Sequence, residues 1–530
     1  MSDRNELMNR RNFVAGSLAS GTALLGGANA WAQVVPLHCV PPLPPLPGVE
    51  FVPATGGPVR IRKSVFELTP AEVTRLKAAY AALRNVYRDD PRSWYNQGLV
   101  HCWYCSGALD NLNGMEIHGG WLFLAWHRAY LYFHERILGN LIGDPTFALP
   151  YWDWDSCRDD ANDMTGRNRF PGEVYGFPNS SSNPLHDLSR AVGPNDRIPP
   201  IYVGPAAMKP IMTSASFTEF GGSGNQELPR RTPEVGDAQQ MGQIEGGPHG
   251  VPHVWTTEPT LDRNKPPMPN MGALASAAFD PVFFAHHANI DRLWDVWAQG
   301  AGHANPDNPR WLNQFFLFYD HLQTWTGITI SQTTNAETSL SYRYQPPAWP
   351  PGPPAPPAAA VAARTAPRFA EAPPLSPPLV ELSTGSQPKV LAPRPTTVQV
   401  AIPQEAKAKI RTLAAPTSPQ KLVLRIDGVE LPADRSVVVQ VYVNRPDITA
   451  PARGAERGYV GSIVIVPSTS SGAGHVHAKV QRNFGFALTP ELAASLATQD
   501  NISVTLVPVT GDATKSTEVF RYQRVYLASR

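Results

Sequence analysis

Neither sign of charge dominates this chain: 45 lysines and arginines stand against 44 aspartates and glutamates, a net charge of +1. That balance gives no case for a nucleic-acid partner or for an acidic one. No apolar run reaches the ~20 residues that a membrane-spanning helix needs, so no membrane span is expected. Cysteine is scarce, limited to Cys39, Cys102, Cys105 and Cys157. Cys102-x-x-Cys105 finds no second CxxC, which argues against a zinc half-site and against a redox pair. What the chain has in quantity is length, 530 residues, and proline, 56 of them. The length suffices for two or three domains with sizeable cores.

Residues 1–32 read as a targeting segment. Arg10-Arg11-Asn12-Phe13-Val14 has a twin-arginine signature, a small-residue apolar stretch follows, and Ala30-Trp31-Ala32 resembles a cleavage site. The expectation is a twin-arginine signal peptide, export by that machinery already folded around a cofactor, and a mature periplasmic or secreted protein starting near Gln33. Residues 33–60 are proline-rich and expected to wrap the next domain as extended chain. TPAEVTRLKAAYAALRNVYRD carries an N-cap threonine, proline at the first helical position and apolar residues at helical spacing, so a helix starts after Thr69. Further helices are expected around His101, over 121–139, from His249 to Trp255 and over 281–299. Pro252 is tolerable only in a first turn. Residues 160–240 read as long surface loops. Residues 346–419 read as a Pro/Ala-rich linker, and 420–530 as short alternating strands of a sandwich or jelly-roll-like module. The fold expected is thus a mainly α domain over 33–345, a four-helix bundle with long loops, followed by a small all-β domain.

Six histidines carry the chemistry. His101, His118 and His127 fall in HCWYC…IHGGWLFLAWHRAYLYFHERIL, and His249, His253 and His287 in GGPHGVPHVW and DPVFFAHHANIDRLW. His249 and His253 stand four apart, so on a helix both imidazoles leave one face toward one metal. His286 and His287 are adjacent and point about 100° apart, so only one is expected to reach it. His134 lies on the His127 face but about 10 Å further along the helix, too far for the same ion. His38, His186, His303 and His321 fall outside both groups. Two neutral three-nitrogen sites without carboxylate or thiolate favour copper, which tops the divalent affinity series. Two such sites facing each other would hold a copper pair able to bind dioxygen.

These segments, together with DPTFALPYWDWD, EGGPHGVPH, FFLFYD and YRYQ, resemble the type-3 copper polyphenol oxidases, the tyrosinase and catechol oxidase family, in their plant form with a C-terminal shielding domain. The resemblance implies a dicopper oxidoreductase that converts o-diphenols to o-quinones with O2, with phenols and O2 as its small-molecule partners. It selects His287 over His286, leaving His286 in the second shell. It further implies a thioether between Cys105 and His118 and a disulfide between Cys39 and Cys102, with Cys157 left as a buried thiol. Gly250, Val254, Leu274 and Phe283 are implied to line the substrate pocket, with Leu274 making it open and Phe283 packing on a ligand ring. Asp291, one turn after His287, is expected to accept a hydrogen bond from a ligand histidine; otherwise it is a surface or helix-stabilising carboxylate. Glu245 matches the family carboxylate that acts as a base through a water, with a plain loop glutamate as the alternative. Gly250 offers no side chain where strong tyrosinases often carry asparagine, which favours diphenol oxidation over monophenol hydroxylation. The C-terminal module is expected to cover the site, and His475 and His477 either plug it, pass copper to it, or sit in an exposed loop.

Two other classes compete: a hemocyanin-like oxygen carrier with the same copper pair, and a two-zinc hydrolase, disfavoured because no bridging carboxylate is placed. A tyrosinase with substantial monophenol hydroxylation stays open within the first class.

Overall fold

The computed structural model describes residues 39, 41–42 and 48–529, except 54–56, 106–115, 177–181, 225–239, 263–269, 348–378, 388, 416–417, 419, 433–434, 468–479 and 510–517. The twin-arginine segment, most of the Pro/Ala tract, and the loop with His475 and His477 lie outside the described residues. Among the described residues no helix is long and apolar enough to cross a membrane.

The helical domain grows from five elements. Helix α1, Pro70–Asn85, begins with a full capping box: the Thr69 hydroxyl accepts from Glu72 N–H while the Glu72 carboxylate accepts from Thr69 N–H. Helices α2 (Trp94–Cys105) and α3 (Phe123–Leu141) are almost wholly buried. Helix α4 (Gly250–Thr257) continues a π-helical turn over Glu245–His249. Pro252 is the third residue of α4, but because the π turn runs straight into α4 it lies, with Pro248, inside one continuous helical stretch and cannot donate to its ladder. Helix α5 (Val282–Trp297) crosses against α3. The region 160–240 is less irregular than expected, because short helices such as Pro205–Thr213 interrupt its loops.

A buried ionic hub clamps α3 to α5. Asp291 of α5 accepts from Arg128 of α3, from Arg62 Nη1 at 3.1 Å, and from the Tyr342 and Tyr344 hydroxyls at 2.5 Å each. Arg62 Nε also donates to Glu135 of α3 at 2.8 Å, and Arg60 Nε donates to the same carboxylate at 2.7 Å. The two arginines reach it because Arg60–Arg62 pairs in parallel with Tyr342–Tyr344. Asp291 therefore serves the frame rather than a ligand histidine, which corrects the role expected for it.

The C-terminal module is a sandwich of two sheets. One has the order β1 (Gln240–Met241), β7 (Val480–Ala487), β4 (Leu422–Leu431), β9 (Arg524–Ser529), β2 (Val380–Glu381). The other has the order β6 (Tyr459–Ile465), β5 (Val437–Val443), β8 (Asn501–Pro508), β3 (Thr396–Ala401). The linker boundary expected at 419 is thus too late. β3 pairs along its length with β8, and the amphipathic helix α6 (Gln404–Leu413) buries Ala406, Ile410 and Leu413 in the same core.

Strand β5, VVVQVYV, is buried at every position. Val437, Val439, Val441 and Val443 fill the sandwich, whereas Val438 and Tyr442 join the core of the helical domain. A strand covered on both faces reads as a continuous apolar run. Its one interruption, Gln440, donates to the Tyr202 hydroxyl at 2.8 Å and to the Ala452 carbonyl at 2.7 Å. The edge strand β1 comes from the helical domain and pairs in parallel with β7, so the two parts share a sheet.

Candidate metal centre

Helix α2 delivers His101 and α3 delivers His127, while His118 lies in the segment leading into α3. All three are buried, and a nitrogen of each lies within 4.8 Å of the others. The π turn ends on His249, α4 carries His253, and α5 carries His286 and His287; these four form the second group at the same spacing. The rings of His127 and His287 stack 4.0 Å apart at 8°, so the groups abut. Both adjacent histidines of α5 reach the second group, against the expectation that one would point away.

The ring nitrogens define what the groups can hold. A carbonyl only accepts, so His127 Nδ1 donates to Phe123 O at 2.8 Å and His253 Nδ1 to Met271 O at 2.9 Å. His249 Nδ1 makes a longer contact of 3.3 Å with Glu245 O. Each bond leaves Nε2 with its lone pair, and those three nitrogens, together with both of His118 and both of His287, make no hydrogen bond among the described residues, although Glu116 Oε1 lies 3.3 Å from His118 Nδ1. Buried polar atoms are rarely left so. Burial, then the neighbouring imidazoles, push His101, His127, His249 and His287 well below the usual histidine range, and burial, with a smaller push from His118, takes His253 to about 3. Neutral imidazoles with outward lone pairs are metal ligands in waiting, and these donors fit a pair of soft-to-borderline ions.

Around them, Cys39 and Cys102 form a disulfide, and the Cys105 thiol lies 3.3 Å from His101 Nδ1, its pKa raised by burial. Cys157 is a buried free thiol. Phe283 is buried between the groups, its ring 4.8 Å from His101 and 4.3 Å from His287. Glu245 Oε1 accepts from Gly119 N–H at 2.6 Å, while Oε2 makes no hydrogen bond among the described residues; the Arg482 charge and, more weakly, Gly120 N–H also act on this carboxyl. Burial raises this carboxyl to about 8. Val254 is buried one residue after His253, and Leu274 is half-buried with its N–H donating to Pro467 O at 2.9 Å. His134 stacks on Phe284 at 3.6 Å, a core histidine away from both groups.

The β module reaches this rim through residues that sequence reasoning missed. A side chain at Gly250 would meet Val464 Cγ1 at 2.6 Å, and one at Gly119 would collide with Arg482. Arg482 Nη2 donates to His118 O at 3.4 Å. No local signal marks either residue, since each sits in an ordinary strand. Trp154 was legible only as part of PYWDWD; its indole bonds His286.

The chain matches the "Common central domain of tyrosinase" over residues 91–300, the "Polyphenol oxidase middle domain" over 305–352 and the "Chloroplastic Polyphenol Oxidase C-terminal domain" over 389–520. It is 31% identical to the chloroplastic latent form of polyphenol oxidase from Prunus armeniaca over 86% of this chain and 74% of that one. It is likewise 31% identical to chloroplastic polyphenol oxidase from Vitis vinifera, over 92% and 79%. Among solved structures, latent apple tyrosinase superposes with a TM-score of 0.67 at 28% identity, covering 91% of this chain and all of that one. The sequence relatives are named as chloroplastic enzymes, which overturns the expected periplasmic or secreted location and, with it, the twin-arginine machinery as a partner.

Proposed function

Since the chain belongs to the polyphenol oxidase family, we propose that its two histidine groups hold a copper pair, with His101, His118 and His127 on one ion and His249, His253 and His287 on the other. The protein is a copper-dependent oxidoreductase that oxidises o-diphenols to o-quinones with O2. The observation that carries the assignment is the set of buried imidazole nitrogens of His118, His127, His249, His253 and His287 left without hydrogen bonds, converging from two sides on one stacked His127–His287 pair. Copper bound there supplies the two-electron exchange between catechol and O2 that closed-shell side chains lack.

The protein's own part is to bind, orient and move protons. Uncharged imidazoles leave the ions their positive charge, which draws phenolate oxygens. Glu245 Oε2 is the acceptor for the phenolic proton; burial raises the carboxyl to about 8, and cations held by the two histidine groups would favour its ionised form as the base. Phe283 sets the separation of the ligand rings, and Gly250, Val254 and Leu274 line the cleft. Gly250 places no polar group beside Glu245, so diphenol oxidation exceeds monophenol hydroxylation. A Cys105–His118 thioether would tether the histidine that comes from a loop. Val464 and Arg482 support the β module as a cover over the site.

The test is quinone formation by the copper-loaded full chain on a catechol and its matching monophenol, before and after limited proteolysis in 346–395. The expected result is a faster rate on the catechol, rising after cleavage. Reversible O2 uptake without quinone would establish a carrier instead.

A further inference from the structure

The second histidine group has one imidazole too many. His249, His253, His286 and His287 are all buried, and reach alone does not separate them, because a nitrogen of each lies within 4.8 Å of the other three. The ring of His286 even stacks on His249, 5.3 Å away at 18°. What separates them is the availability of a lone pair.

An indole N–H donates and never accepts. Trp154 Nε1 lies 3.0 Å from His286 Nδ1, so that nitrogen must be the acceptor and the ring proton of neutral His286 must sit on Nε2. An imidazolium has no lone pair to accept with, so the same contact holds His286 as the neutral ring. Neither nitrogen then has a lone pair to give: Nδ1 has spent its own on Trp154, and Nε2 carries hydrogen. Nε2–H forms no hydrogen bond among the described residues, with only a weak pull from the His249 backbone. His249 and His253 have the opposite tautomer, fixed through Nδ1–H contacts to carbonyls, and His287 has neither nitrogen engaged. Trp154 is itself fully buried in the helical core, so its indole is held in place.

We propose that Trp154 is a positioning residue that keeps His286 out of the coordination sphere by occupying its only lone pair. The second group then offers three nitrogens rather than four and keeps a coordination position for a substrate oxygen, as catalytic metal sites require. The inference rests on the copper reading of the two groups.

The test follows copper release from the ascorbate-reduced, copper-loaded full chain into bicinchoninate, by the absorbance of the Cu(I) complex. In Trp154→Phe, His286 is free to change tautomer and bind, so one of the two ions should leave about tenfold more slowly, within the range that outer partners of metal ligands command. Trp154→Phe combined with His286→Phe should return to the wild-type rate. His286→Phe alone should keep two ions and the wild-type rate, which gives an independent arm if the tryptophan variants fold poorly. Release from Trp154→Phe at or above the wild-type rate, a double variant as slow as Trp154→Phe, or a single ion in His286→Phe would each overturn this proposal alone. A wild-type chain that takes up no copper overturns it together with the metal reading beneath it.

Discussion

The two histidine groups reach similar geometry by different means. In the second, backbone carbonyls orient His249 and His253, and Trp154 orients their neighbour His286. In the first, His127 has such a carbonyl, His101 rests against the Cys105 thiol with a weaker pull from the Leu274 backbone, and the loop residue His118 has only the Glu116 carboxylate 3.3 Å from its Nδ1. Rings fixed from outside lose little freedom when they bind an ion, whereas a loop histidine must be ordered by the ion or by a covalent tether. The first group should therefore be the more labile, and the proposed Cys105–His118 crosslink would fall on the side that needs it.

Removing the contact that joins the groups tests the comparison most severely. His127→Ala and His287→Ala should each cost one copper and bring catechol oxidation down to background, a loss on the order of 10³-fold or more. Metal analysis and quinone absorbance read both. If one variant kept two ions, the division into two groups would be wrong.

Next comes the frame that both groups share. Burial alone would raise the Asp291 carboxyl; Arg128 and Arg62 reverse this and hold it below its usual value. Asp291→Ala leaves the buried Arg128 guanidinium without its carboxylate, while Arg62 keeps Glu135, and should cost about 3–5 kcal/mol in denaturant unfolding. The sign with pH follows from the depressed value. The stabilisation is present above the ordinary aspartate pKa of about 3.9 and is lost as pH falls through the folded-state value, so the stability gap between wild type and variant should close in acid.

Two smaller effects sharpen the asymmetry. Glu245→Gln should slow monophenol hydroxylation by about 10²-fold while catechol oxidation falls less, because the catechol needs less help in losing its proton. Equal losses on both substrates would remove Glu245 from the proton path. Cys105→Ser should speed copper loss from the first group by about tenfold and leave the second unchanged. Intact-mass measurement of the copper-loaded wild type should show two hydrogens fewer than the disulfide alone accounts for.

Much of this site was legible before any coordinates, since His249 and His253 on one helix face, and His127 within an aromatic helix, follow from spacing alone. Other parts were not. A 100° step separates His286 from His287 on a helical wheel, yet long side chains on a buried helix converge on a shared pocket. Asp291 looked like a histidine partner because three of its partners, Arg62, Tyr342 and Tyr344, are distant in sequence and meet it only through the pairing of two short strands. The β module begins earlier than composition implied, because the strand Thr396–Ala401 and the helix Gln404–Leu413 follow directly on proline-rich sequence. Strand β5 hid its second buried face, since an unbroken apolar run does not say what covers it. Val464 and Arg482 act on the site only through docking of that module, which no local pattern encodes.

Copper content per chain bears most directly on the central claim. The full-length protein, purified after copper loading and freed of excess metal, should hold two ions, and His118→Ala should hold one. One ion in the wild type, or two in the variant, would contradict two groups of three histidines each binding their own metal.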